Sequence, residues 1–282
     1  MKTVNSLSGG KTSSYIAVHY PADYNVFALV RTDDKNCIYP DAKVRQIVSD
    51  KIGKEFIGTL EDDIIIDTML DLEQFIGQKI HWTSGKTFDE VINNNGLLPS
   101  PLRRFCTTEM KMQPIFEWWL EAIKTPALFR IGFRANEMRR AKKIDEKYNK
   151  NGFLEFKHII GKHKNGNNKW KLTEWQRQQH PLINDGIYKD TIVKYWKDKP
   201  VRFAYMNNCV GCFHKHPPLL NKMAKKHPNK LEWFAKQERN RKHNWDKFRI
   251  DGTAYDKIIN YNFQYDLFDD DFNECDSGYC GL

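Results

Sequence analysis

The feature that most constrains this chain is Ser6-Leu7-Ser8-Gly9-Gly10-Lys11-Thr12-Ser13-Ser14, placed directly after the strand-like run Thr3-Val4-Asn5-Ser6-Leu7. A short strand, a pair of glycines and then a helix start form a device for holding phosphate. Glycine lets the backbone approach a ligand closely. The first N–H groups of the helix lack intrahelical partners and carry partial positive charge. Lys11 adds a point charge, and the Ser8, Ser13 and Ser14 hydroxyls add donors. The Walker A loop needs a longer spacing that ends Gly-Lys-Ser/Thr, so this loop is of another kind.

The pattern downstream extends the same logic. Asn25 to Val30 is an apolar run suited to a buried parallel strand, and Asp41 to Ile52 has helical spacing. Glu55-Phe56-Ile57-Gly58 reads as a third strand, residues 61–100 as mostly helical, 107–123 as a Met- and Trp-rich helix, and Leu128 to Phe133 as a further strand. Residues 141–180 are rich in lysine and weakly patterned. They read as an insertion or mobile loop, with a hairpin turn at Lys164-Asn165-Gly166. Asp190 to Trp196 is a short helix, and residues 217–247 form a basic helical segment. The expected fold is α/β, a parallel twisted sheet with helices on both faces and a helical C-terminal extension. The domain reading is 1–215 for the nucleotide-binding part and 216–282 for the basic segment with its acidic, Cys-containing tail.

Bulk properties narrow the function classes. Hydrophobic residues are 40% of the 282, enough for a full core. No apolar run approaches the ~18–20 residues of a membrane span, and Met1-Lys2-Thr3-Val4 leads straight into a strand with no secretory signal, so no membrane role and a cytoplasmic location are expected. In that setting the six cysteines suit metal, cluster or redox roles better than a disulfide framework. The formal charge of +9 fits a polyanionic partner such as nucleic acid, and fits nucleotide phosphates equally. Residues 214–249 carry eleven Lys/Arg against three acids with Trp233, Phe234 and Trp245 interleaved. That composition suits a nucleic-acid groove, and slightly better an amphipathic helix whose aromatics are core.

Several stretches share a pattern. The Ser-Gly-Gly loop resembles the PP-loop of the ATP pyrophosphatase and phosphoadenosine phosphosulfate (PAPS) reductase superfamily, whose ATP-using members carry Ser-Gly-Gly-x-Asp-Ser; Thr12 stands at the Asp position here. Thr32-Asp33 with Tyr39-Pro40-Asp41 is similar to the segment beside the adenosine. Arg103-Arg104-Phe105-Cys106-Thr107-Thr108-Glu109-Met110-Lys111 resembles Arg-x-Cys-Thr-x-x-Leu-Lys. Gly132-Phe133-Arg134 through Glu137 and Arg140 resembles Gly-Ile-Arg-x-x-Glu-x-x-Arg. The resemblance runs over most of residues 1–215. It implies a Rossmann-like, HUP-type fold, ATP with Mg2+, or adenylyl sulfate or PAPS, and cleavage between the α and β phosphates. Candidate nucleotide ligands are Ser6, Ser8, Gly9, Gly10, Lys11, Thr12, Ser13, Thr32, Asp33, Lys111, Gly132, Arg134 and Arg140.

The residues themselves say more about the thiols. Thr107 is placed to cap the helix that starts near it, and Cys106 at that helix N-terminus, beside Arg103 and Arg104, should favour thiolate. Asn208-Cys209-Val210-Gly211-Cys212 is a knuckle whose two sulfurs can reach one metal. In the family, the Cys106 and 209/212 segments lie side by side and hold a [4Fe–4S] cluster in the iron–sulfur members. Cys275 or Cys280 is a candidate fourth ligand, and zinc aided by His214 or His216 is the alternative. Ser277-Gly278-Tyr279-Cys280-Gly281-Leu282 resembles the tail of sulfonucleotide reductases, which makes Cys280 a candidate nucleophile beside Lys11 and Cys106.

Three functions stay open at this point. One is ATP-dependent adenylation coupled to sulfur transfer, with nucleic acid as a candidate acceptor and a sulfur donor protein as partner. Another is a sulfonucleotide reductase using Cys280 and a thioredoxin-like reductant. The third is a non-catalytic nucleotide- or nucleic-acid-binding regulator.

Overall fold

The computed structural model describes residues 1–262. The strands are β1 (Thr3–Leu7), β2 (Tyr24–Ala28), β3 (Ile80–Thr83), β4 (Ala127–Arg130), β5 (Leu154–Lys162) and β6 (Asn168–Gln179). They form one sheet in the order β3-β2-β1-β4-β6-β5, parallel throughout except for the antiparallel edge pair β5–β6. The helices are α1 (Lys11–His19), α2 (Ala42–Ile52), α3 (Ile64–Ile76), α4 (Phe88–Asn95), α5 (Phe105–Thr107), α6 (Gln113–Ala122), α7 (Met138–Asp145), α8 (Pro181–Asn184), α9 (Lys189–Trp196), α10 (Pro217–Lys226), α11 (Pro228–Arg239) and α12 (Tyr255–Asn260). A π-helical stretch, Thr108–Met112, joins α5 to α6. No helix among the described residues is long and apolar enough to cross a membrane.

Strand alternation divides the core between the two faces of the sheet. Leu7 and Phe27 pack with Ile16, Ile65, Met69 and Trp196 on one face. Val4, Val26 and Phe129 pack with Phe116, Trp119, Ile144 and Trp175 on the other. A third cluster joins Val30, Leu60, Phe88 and Met110 to Leu231, Trp233, Phe234 and Phe248, so the C-terminal helices share a core with the loops at the carboxyl ends of the strands. The aromatics of the basic segment are therefore mostly core, as the amphipathic reading has it; Trp245 is exposed.

Local chemistry explains the element ends. Asp41 caps α2 by accepting from the Lys43 and Val44 N–H groups. Thr87 and Glu90 close a capping box on α4, and Gly96 ends that helix in the left-handed conformation.

Two expectations are corrected. Glu55–Gly58 is not a sheet strand. Gly58 makes only isolated bridges to Thr32 and Ile38, and the third strand is Ile80–Thr83, inside the stretch read as helical. Four residues of apolar sequence fit a strand or a helix turn equally, and it is the free edge of β2 that recruits Ile80–Thr83. Residues 141–180 are not a mobile loop. They hold α7 and a hairpin whose turn falls at the expected 164–166, and the second strand of that hairpin continues into the sheet, pairing Ala127–Arg130 with Gln176–Gln179.

At Gly58 an added Cβ would lie 1.9 Å from the Cys37 carbonyl oxygen, a backbone atom that cannot swing aside. Gly58→Ala should therefore lower the unfolding free energy by about 1–3 kcal/mol, read from the urea midpoint; an unshifted midpoint would show that this close backbone approach is not maintained.

Candidate functional site

The Ser8–Ser13 loop turns where its glycines allow. β1 ends at Leu7, Gly9 takes φ +79°, and Gly10 is the N-cap of α1. A side chain at Gly9 would be strained and would also collide with Ile65, its Cβ lying 2.5 Å from Cγ2. The loop is braced from within. The Ser8 N–H donates to Ser13 Oγ at 3.1 Å, and the Ser13 hydroxyl donates to the Gly10 carbonyl at 3.1 Å. The N–H groups of Lys11, Thr12 and Ser13 belong to the first turn, where no helical carbonyl precedes them. The indole of Trp196 donates to the Lys11 carbonyl at 2.9 Å, and the Lys11 ammonium lies 6.0 Å from the centre of the Phe203 ring. Ser6, Thr12 and Ser13 are buried.

The segment after β4 closes on this loop. A Cβ on Gly132 would sit 3.2 Å from Thr12 Cγ2, so the backbone there passes against the start of α1. Arg134 is buried, and its Nε and backbone N–H both meet Glu137 Oε2, at 3.1 and 3.0 Å. Arg140 pairs with the other oxygen of Glu137 and lies 4.6 Å over the Phe133 ring. Glu137 thus orients both arginines. Thr32 and Asp33 are committed elsewhere: the Thr32 hydroxyl donates to Asp89 Oδ2 at 2.7 Å, and Asp33 accepts from the Thr87 hydroxyl at 2.7 Å, which ties the end of β2 to the start of α4.

Cys106, Cys209 and Cys212 line one cavity of about 50 Å³, with Arg104 and Lys111 beside them and Phe88, Phe234 and Phe248 as its apolar wall. The knuckle is held in place by neighbours on three sides. Asn208 takes the left-handed conformation (φ +70°), which Asn tolerates well. Val210 donates to the Leu60 carbonyl at 2.7 Å. A Cβ on Gly211 would stand 2.3 Å from Phe234 Cδ2, and the Tyr255 hydroxyl donates to the Gly211 carbonyl at 2.8 Å. Lys215, buried, donates to the Cys209 carbonyl at 2.6 Å, and burial lowers its pKa. His214 lines the cavity, whereas His216 is the N-cap of α10.

Two local expectations fail here. Thr107 does not cap, because the helix already starts at Phe105 and runs through it without a side-chain cap bond. The Cys106 thiol is not biased toward thiolate. Burial, with Cys212 close by, pushes it up to about 11, outweighing the help of Arg104. Cys209 is raised for the same first reason, and by Glu61. The Lys111 ammonium meets Glu61 Oε1 at 2.8 Å beside the cysteines.

Among the described residues no three His, Cys, Asp or Glu side chains are arranged to hold a single metal ion. An iron–sulfur cluster is held by cysteine thiolates. Three soft donors in one apolar cavity flanked by two cationic side chains suit it. Cys275 and Cys280 lie outside the described residues.

Sequence reasoning missed the acidic triplet Glu61-Asp62-Asp63 between these two sites. Glu61 bridges to Cys209 and pairs with Lys111; Asp62 meets His227 Nε2 at 3.1 Å; Lys230 donates to the Glu61 carbonyl at 2.6 Å and to Asp63 at 2.8 Å. Three consecutive acids ahead of Ile64-Ile65-Ile66 were the available signal.

Lys111→Met leaves Glu61 charged and out of water, and should cost about 3–5 kcal/mol. Adding Glu61→Gln to it should restore most of that loss, and a double-mutant cycle by denaturation reads the coupling; additive losses would mean the two do not form one unit.

No protein-family model matches the chain, and neither a curated protein nor a solved structure matches it.

Proposed function

We propose that this chain is a PP-loop enzyme that binds ATP with Mg2+ at the Ser8–Ser13 loop, adenylates an acceptor with release of pyrophosphate, and supports sulfur transfer from the cavity of Cys106, Cys209 and Cys212. What supports the reading is the linkage of two sites through one short segment. Ile65, at the start of α3, packs against Gly9, while Leu60 and Glu61 bond to the cysteine knuckle.

The chemistry follows from charge. An acceptor oxygen attacks the α-phosphorus, the bond to the bridging oxygen breaks, and pyrophosphate leaves with added negative charge. Lys11 and the first N–H groups of α1 stabilise that charge as it develops. Arg134, oriented by Glu137 and two residues past the Gly132 backbone that passes against Thr12, is the second cationic candidate. Sulfide then displaces AMP, and the acceptor oxygen leaves with the phosphate. A cluster held by the three cysteines would bind or deliver the sulfur. Arg104 and Lys111 offset the charge of its thiolates, and the phenylalanine wall limits water. A sulfur donor protein completes the cycle. The rival sulfonucleotide reductase, which draws electrons from a thioredoxin-like partner, rests on Cys280, outside the described residues.

The decisive measurement is anaerobic purification followed by iron and sulfide analysis, with pyrophosphate release from ATP assayed in parallel. Lys11→Ala should reduce pyrophosphate release by about 10²–10³-fold with the thermal melt unchanged. Sulfite release from adenylyl sulfate or PAPS, lost in Cys280→Ser, would replace this reading with the reductase.

A further inference from the structure

The outer part of the β5–β6 hairpin has no part in the sites described above. Between Phe156 and Leu172 it carries five lysines and no acid. Its side chains are largely exposed, including large apolar ones: Trp170 is 51% exposed, Leu172 58% and Ile159 48%. Apolar groups that adjoin on a surface mark candidate interaction sites, whereas single exposed ones do not. Cross-strand pairing sets Ile159 opposite Trp170 and Lys157 opposite Leu172, and the Lys157 ammonium lies 5.2 Å from the Trp170 ring centre. One face of the ribbon thus carries Ile159, Trp170 and Leu172 with the Lys157 ammonium against the indole.

The ribbon also has a direction. Its base packs on α6, with Phe156 stacked on Phe116 at 4.6 Å and His158 at 4.9 Å from the same ring. Farther out, a groove of about 600 Å³ runs between the ribbon and α6, from Leu120, Ile159 and Trp170 to Thr108 and Glu109. Thr108 adjoins Thr107 and Cys106, which line the thiol cavity. Two acids line this groove: Glu109, paired with Lys86 at 2.8 Å, and Glu117, which accepts from the Gln113 amide at 2.8 Å.

We infer that this hairpin binds a single-stranded segment of nucleic acid and leads it toward the thiol cavity. Trp170 stacks a base, and Lys157, Lys162, Lys164, Lys169 and Lys171 follow the phosphates. Stacking on an aromatic face with a cationic surround is how unpaired strands are held, whereas a duplex hides its base faces. An anionic membrane would attract the lysines but gives Trp170 no stacking partner. The choice of this substrate class rests on the sulfur-transfer reading above; the binding surface itself does not.

Binding of a fluorescent single-stranded oligonucleotide to the full chain, followed by anisotropy, tests the inference. Trp170→Ala should weaken it about tenfold, and Trp170→Phe should retain most of the affinity, since the melt of both should match the parent. Replacing Lys162, Lys164 and Lys169 by Gln should reduce the slope of log affinity against log salt by about 2. Unchanged binding in both variants overturns the inference, as does tighter binding to the matching duplex or to phosphatidylserine vesicles. Pyrophosphate release assayed on the same samples keeps the two readings apart. Oligonucleotide binding that depends on Trp170 without any ATP turnover supports the hairpin and sinks the adenylation reading. ATP turnover with Trp170-independent binding does the reverse.

Discussion

Glu61 is a carboxylate almost wholly removed from water, and its partner Lys111 comes from the π-helical stretch that follows Cys106. The backbone on either side of Glu61 is held as firmly: Leu60 accepts from Val210, and Lys230 spans the Glu61 carbonyl and Asp63. A buried charge that loses its partner costs several kcal/mol, so the chain cannot separate the π stretch, the cysteine knuckle and α11 without a large penalty. Segments more than a hundred residues apart are thereby locked around one short loop. That loop opens into α3, whose Ile65 backs Gly9, so the geometry of the phosphate loop and of the thiol cavity depends on the same anchor.

Burial shapes the thiol site in two opposing ways. It raises Cys106 and Cys209, which makes the isolated thiols poor nucleophiles at neutral pH. It also places Arg104 and Lys111 beside them in surroundings where charge acts over a longer range than in water. A cavity of this kind disfavours a lone thiolate. The C-terminal helices supply much of the wall through Phe234 and Phe248, so they complete the site as well as the core.

Much of this was legible from sequence where a local rule has one outcome. The glycine turn after the first strand, the helix that follows Asp41 and the chain reversal at 164–166 all occur. The rule failed where two outcomes share one pattern. Ile80–Thr83 is too short to distinguish strand from helix, and the lysines of 157–171 mask a strand pair whose inner end carries Trp175 and Gln176. At Cys106 the neighbouring arginines were visible and the depth of burial was not, and depth wins.

The sequence by itself determined the α/β alternation, the glycine turn after the first strand and the presence of a cysteine pair at chelating spacing. These follow from the steric freedom of glycine, the period of apolar residues and the reach of neighbouring side chains, all of which act within a few residues. Only the tertiary structure decided that Cys106 joins that pair, that Lys111 pairs with Glu61, that the third strand is Ile80–Thr83, and that a lysine-rich stretch becomes a ribbon over α6. Those outcomes rest on desolvation and on pairing between distant segments, and neither quantity is defined until the chain has closed around its core.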